Sequence, residues 1–159
     1  MRDQRFVARH RGGLLDIRHH RLLAAWAADC AEHVLPYFLQ HSDDDSPRRA
    51  IEAARAWARG EIRVGTAQKA SLAAHAAARE VKRRSLASSE AARAAGHAVA
   101  TAHMADHALG GALYGLKCVK ALGLSGEAER SWQLAQLPQE VRELAISALH
   151  GERLGKVYL

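Results

Sequence analysis

The sequence predicts an all-α protein, and three observations carry the prediction. Ala, Leu, Arg, Glu and Gln, which favour helix, dominate the 159 residues, and Val, Ile, Thr and Tyr never alternate over the length of a strand. Apolar residues recur at helical spacing between well-marked caps and stops. Finally, residues 88–123 form a long Ala- and Gly-rich stretch without Pro, small enough in section to let other helices pack close. The expected architecture is a compact multi-helix bundle of stacked helical hairpins around one central helix of about residues 89–122. A loosely ordered basic segment should precede it at residues 1–13, and a C-terminal tail should follow at 151–159. The helical domain between them, residues 14–150, reads as one unit, because only three Pro and no Gly/Ser-rich tract interrupt the chain.

The elements follow in order. Residues 1–13 are rich in Arg and His, have no clean period and end at Gly12-Gly13, so they are expected to be loose or to dock on a neighbour. Asp16 is a plausible N-cap for a first helix in which Leu22, Leu23, Trp26, Ala27, Cys30 and Val34 share a face, with its end or a kink at Pro36. A polar turn, residues 40–46, leads to Ser46 as N-cap and Pro47 at the first helical position, where its missing N–H costs nothing. Helix two should bury Ala50, Ala53, Ala54, Trp57 and Ala58, pair Arg48, Glu52 and Arg55 on its outside, and stop at Gly60.

Helix three begins at Gly65-Thr66 and runs through Leu72, His75 and Ala76 to a basic end at Lys82-Arg83-Arg84, which suits the negative end of a helix dipole. Ser88 or Ser89 caps the central helix, Gly110-Gly111 offers a bend and Gly123 a stop. After Ser125 come a short helix with Trp132 and Leu134, and another from Pro138 that turns Val141, Leu144, Ala145 and Ala148 inward.

Composition narrows the function classes. A formal charge of +6 and a pI near 9.8 permit an acidic partner. Arg in excess of Lys together with abundant Ala is what a GC-rich coding bias produces by itself, so nucleic acid is not the expected partner, although a nucleic-acid-associated helical protein stays as an alternative. Cys30 and Cys118 are isolated thiols among apolar neighbours and read as buried and reduced, as in a cytoplasmic protein. The N-terminus lacks the apolar core of a signal peptide, and no run approaches the ~20 apolar residues of a membrane span. No membrane contact is expected, and a homo-oligomer built through the small-residue helix remains open.

The one candidate for chemistry lies on the central helix. At about 100° per residue, His103 and His107 fall about 40° apart on one face, with Asp106 adjacent and Tyr114 continuing the stripe. An i,i+4 histidine pair can place two imidazoles on one metal ion, which makes a metal-dependent hydrolase using His103, Asp106 and His107 the enzymatic alternative. The set is incomplete, since a catalytic zinc site usually needs a third protein ligand, which His75 or His33 would have to supply from a neighbouring helix, and H-M-A-D-H is not the metalloprotease H-E-x-x-H. The plainer reading makes His97, His103 and His107 internal fasteners, hydrogen-bonded to backbone or to Asp106. No catalytic residue and no cofactor is assigned.

Residues 25–36 (AWAADCAEHVLP), 47–62 (PRRAIEAARAWARGEI) and 94–117 (AAGHAVATAHMADHALGGALYGLK) together resemble the immunity-protein family of bacterial polymorphic-toxin systems. The resemblance covers roughly residues 14–150. It implies a compact helical domain that neutralises a cognate protein toxin in the cytoplasm by binding it, without catalysis. On that reading the candidate contacts are exposed charges: Asp43, Asp44 and Asp45 on one loop, and Arg79, Lys82, Arg83 and Arg84 at one helix end.

Overall fold

The computed structural model describes residues 2–159 and contains eight α-helices and no named strand among them. They are α1 (Ile17–Leu39), α2 (Ser46–Ala58), α3 (Val64–Val81), α4 (Leu86–Ala100), α5 (His107–Ala121), α6 (Gly126–Ala135), α7 (Gln139–Leu149) and the single turn α8 (Gly155–Tyr158). Consecutive helices from α1 to α5 pack on one another, and α4 lies at the centre, touching α1, α2, α3 and α5. Helices α6, α7 and α8 close the side formed by α1 and α5. No helix among the described residues is long and apolar enough to cross a membrane.

The expected single helix over 89–122 is two helices folded back as a hairpin, broken by a turn at residues 101–106. Thr101 explains the break. Its Oγ1 donates back to the His97 carbonyl at 3.1 Å, its N–H is shared between the His97 and Ala98 carbonyls, and its own carbonyl accepts from Nε2 of the buried His20 on α1. The next bonds tighten to the i→i−3 type at Ala102 and His103, and the chain reverses. Reversal also answers a packing problem: a straight helix that is apolar nearly all round would project from a small domain, whereas two antiparallel halves bury each other. Glycine also brings α5 close to α1: a Cβ at Gly111 would sit 3.2 Å from that of Ala27.

Helix boundaries follow the reading in part, and the cap of α4 is Ser85, which accepts from the Ser88 N–H at 3.1 Å, in place of the expected Ser88 or Ser89. Asp16 caps α1, accepting from the His19 N–H at 2.8 Å. Pro36 does not end α1. It falls in the last turn on the exposed side, where the missing bond to the Glu32 carbonyl is tolerated, and the helix continues to Leu39. At α2 the loop carboxylates take the capping role from Ser46: Asp44 accepts from the Ser46 N–H, and Asp45 pairs with Arg48 and Arg49. Arg55 is not held by Glu52 but reaches across to Asp29, at 2.8 Å, and Glu32 on α1. Gly60 ends α2 at φ +77°, a conformation that favours glycine.

Residues near both ends pack into the bundle. Of the segment 1–13, expected to be loose or to dock, Met1 lies outside the described residues, while Phe6 in the first of two short 3₁₀ turns and Val7 just after it are buried. At the other end, Tyr158 is fully buried and donates to Gln133 Oε1 at 2.9 Å.

Cys30 and Cys118 are free and wholly buried. Burial pushes both thiols up, Cys30 well above the ordinary range and Cys118 to about 12, and the Glu129 carboxylate adds to both effects. At pH 8 the folded protein is therefore expected to resist a thiol reagent such as dithionitrobenzoate, with both cysteines reacting once it is unfolded in guanidinium. Rapid reaction of either thiol in the folded protein would show that α1 and α5 do not close over it.

Candidate functional site

Helix α4 is a core helix with one opening. From Ala87 to Ala100 every residue is buried except Arg93, His97 and Ala100, which recur at i, i+4 and i+7 and so form one stripe. The stripe is flanked by the part-exposed edge of α3, with Leu72, His75 and Arg79, and by that of α5, with His107, Gly110, Tyr114 and Lys117. Here the rings meet. His75 stands edge-on to His97 with centroids 5.2 Å apart, His97 stacks on Tyr114 at 4.8 Å, and His97 Nδ1 lies 3.0 Å from His107 Nδ1. One of those two nitrogens donates and the other accepts, so at least the accepting ring is neutral.

Two glycines make room for the row. A Cβ at position 96 would lie 2.6 Å from the His75 ring, and one at position 110 would lie 2.7 Å from that of His97. Arg93 and Lys117 bring cations to Tyr114, at 5.9 and 4.7 Å from its ring centre. Burial lowers all three imidazoles from the ordinary histidine range, His97 to about 3; Arg93 and Arg79 add to this at His75, and His107, His75, Arg93 and Lys117 at His97, while at His107 the Asp106 carboxylate opposes the lowering that Arg2 adds. Next to Arg93, the buried Glu90 has one carboxylate oxygen without a hydrogen-bond partner and the other 3.8 Å from the guanidinium. At the far end of the row a cavity of about 240 Å³ opens between His97, His107, Leu113, Arg153 and Leu154.

The sequence-derived metal set does not assemble as a helical pair. His103 sits in the turn, where its Nδ1 faces Arg11 at 3.5 Å; Asp106 pairs with Arg2 at 3.1 Å; and His107, the first residue of α5, turns to His97. Among the described residues no group of three or more His, Cys, Asp or Glu side chains is arranged to hold a metal ion. The hydrogen bonds differ from those expected, to backbone or to Asp106: His97 and His107 bond each other, and it is His20, outside the expected set, that bonds a backbone carbonyl, that of Thr101.

The exposed charges divide. Asp44 and Asp45 serve the start of α2 and its arginines, while Asp43 is exposed. Arg79, Lys82, Arg83 and Arg84 are all exposed, the last three in the turn after α3. The meeting of His75 with His97 was not found from the sequence. Gly96 beside His97 was its one local trace, a missing side chain where another helix's ring would lie.

The whole defines an all-helical domain whose interior histidines brace one another and whose cations remain on the outside. The chain belongs to the family described as Imm-5 like putative immunity protein, whose model matches residues 13–140. No curated protein and no solved structure matches it.

Proposed function

We propose that this protein is an immunity protein that neutralises a cognate bacterial toxin in the cytoplasm by binding it, without catalysis of its own. Membership of the immunity family over residues 13–140 carries the reading. Its support within the fold is that Asp43 and the cations Arg79, Lys82, Arg83 and Arg84 are exposed and available as contact groups, while His97 and His107 bond each other. Complementary surfaces of this kind set the encounter rate and the choice of partner.

The test is co-expression with the toxin encoded beside this gene. Growth should be restored, and a complex of the two chains should survive size-exclusion chromatography. A toxin that still kills and shows no complex with a folded preparation of this protein would remove the proposal.

A further inference from the structure

The stripe on α4 raises a question that packing does not answer. A central helix gains most by complete burial, yet Arg93 and His97 are left open, and the neighbouring edges of α3 and α5 present Leu72, His75, Tyr114, Arg79 and Lys117 around them. Leu72 is 70% exposed, an apolar side chain with nothing covering it. Tyr and Arg are the residues that concentrate at the centres of protein interfaces, where a ring supplies contact area at small entropic cost.

The exposed charge of this window is positive. Neither Arg79 nor Lys117 pairs with a carboxylate among the described residues. Of the carboxylates at its margins, Asp106 is matched by Arg2, and Glu90 is buried and offsets part of Arg93. The cations Arg79, Arg93 and Lys117 would oppose a metal cation and attract an anion. The exposed edges of three helices bring these side chains together over one broad face, with a recess of about 240 Å³ at one end, an extent that suits a polypeptide face better than a small ligand.

We propose that this window, formed by Leu72, His75, Arg79, Arg93, His97, Tyr114 and Lys117, is where the protein seats an acidic face of its toxin. The proposal rests on the immunity reading above. It moves the centre of contact from the turn after α3 to the open edge of α3, α4 and α5, with Arg79 common to both.

The experiment measures binding of the full chain to a catalytically inactivated form of the toxin encoded beside this gene, by titration calorimetry at low salt and at high salt. Arg79→Glu/Lys117→Glu reverses the two unpaired cations of the window. Arg21→Glu/Arg63→Glu makes the same change of net charge at exposed positions elsewhere. The window variant is expected to bind at least ~10-fold more weakly and to lose most of the salt dependence, with the other within about twofold of the parent. Circular dichroism checks that each is folded; if the reversal unfolds the chain, Arg79→Gln/Lys117→Gln replaces it with a smaller loss in the same direction.

Binding that is unchanged by the window variants overturns the proposal while leaving the immunity reading intact. Failure of the parent itself to bind the toxin removes both. A duplex DNA and a transfer RNA are titrated alongside; if the window variants weaken only nucleic-acid binding, the surface serves a different class of partner and the proposal fails.

Discussion

Trp26→Ala is expected to lower the unfolding free energy by about 3–5 kcal/mol, the largest loss of any single truncation in this fold. Trp26 sits in the middle of α1 with 1% of its surface exposed, so its removal leaves a cavity that the surrounding helices can fill only in part. Its Nε1–H also donates to the Gln133 carbonyl at 2.8 Å, which ties α1 to α6. Gln133, itself fully buried, donates to the Ala112 carbonyl of α5 at 2.9 Å and accepts from Tyr158 at the C-terminus. One indole thus supports the clasp that holds α6 and the chain end against the bundle. Against the ~5–15 kcal/mol typical of a domain, such a loss is a large share of the total, and the melting temperature should fall by on the order of 10 °C. Trp26→Phe, which keeps most of the volume and forfeits the hydrogen bond, should cost about 1–2 kcal/mol. Urea denaturation followed by far-UV circular dichroism separates these cases, and a cost below about 1.5 kcal/mol for the alanine variant would mean that the indole is not packed as described.

Much of this architecture was legible because helix boundaries are written locally. Asp16 before an apolar-periodic run, Gly60 after one and Pro47 in a first turn are chemical statements about unsatisfied N–H groups or positive φ, and each falls where the structure uses it. The break at residues 101–106 was not legible for the opposite reason. The alanines and glycines on either side are compatible with an unbroken helix, and the group that captures the Thr101 carbonyl is His20, far away in the chain. Pro36 misled in the other direction: a proline counts as a stop only where its lost hydrogen bond has nowhere to go, and the exposed last turn of α1 tolerates it.

The histidine row shows the same limit more sharply. His103 and His107 share a face only if residues 101–106 are helical, so the i,i+4 argument fails with the helix that it assumed. Once α4 and α5 fold into a hairpin, the partners of His97 are set by which residues lie across the interface, and these are His107, Gly110 and Tyr114. The small residues were read correctly as a sign of close packing. What they left unspecified is that two of them, Gly96 and Gly110, are small to admit imidazoles rather than helix backbones.

Acid should weaken this fold through its histidines before it does so through its carboxylates. Burial lowers His20, His75, His97 and His107 from the ordinary value near 6.5, His97 to about 3. Below about pH 6.5 the unfolded chain takes up protons at these positions while the folded chain refuses them, so the unfolded state gains and stability falls with falling pH; above about pH 7 neither state is charged and the loss is absent. The slope attributable to His97 should persist until its folded value is reached. Asp3, Asp16 and Glu61 are lowered by their hydrogen bonds, to the Arg5 side chain, the His19 backbone and the Arg59 side chain respectively, and their contributions are lost only below about pH 4.5. Between pH 6.5 and 4.5 the dependence therefore belongs to the histidines, and His97 alone should account for about 2 kcal/mol, since a proton refused costs ~1.4 kcal/mol for each pH unit below the unfolded value. His97→Gln should flatten the profile in that window whatever it does to stability at pH 8, because the comparison is of slopes. His20→Gln should remove a separate part of the slope, as His20 faces Thr101 and Trp57 rather than the row. A parent protein that keeps its full stability down to pH 5 would mean that these rings take up protons freely in the folded state, against the burial that lowers them and the hydrogen bond that keeps at least one of His97 and His107 neutral.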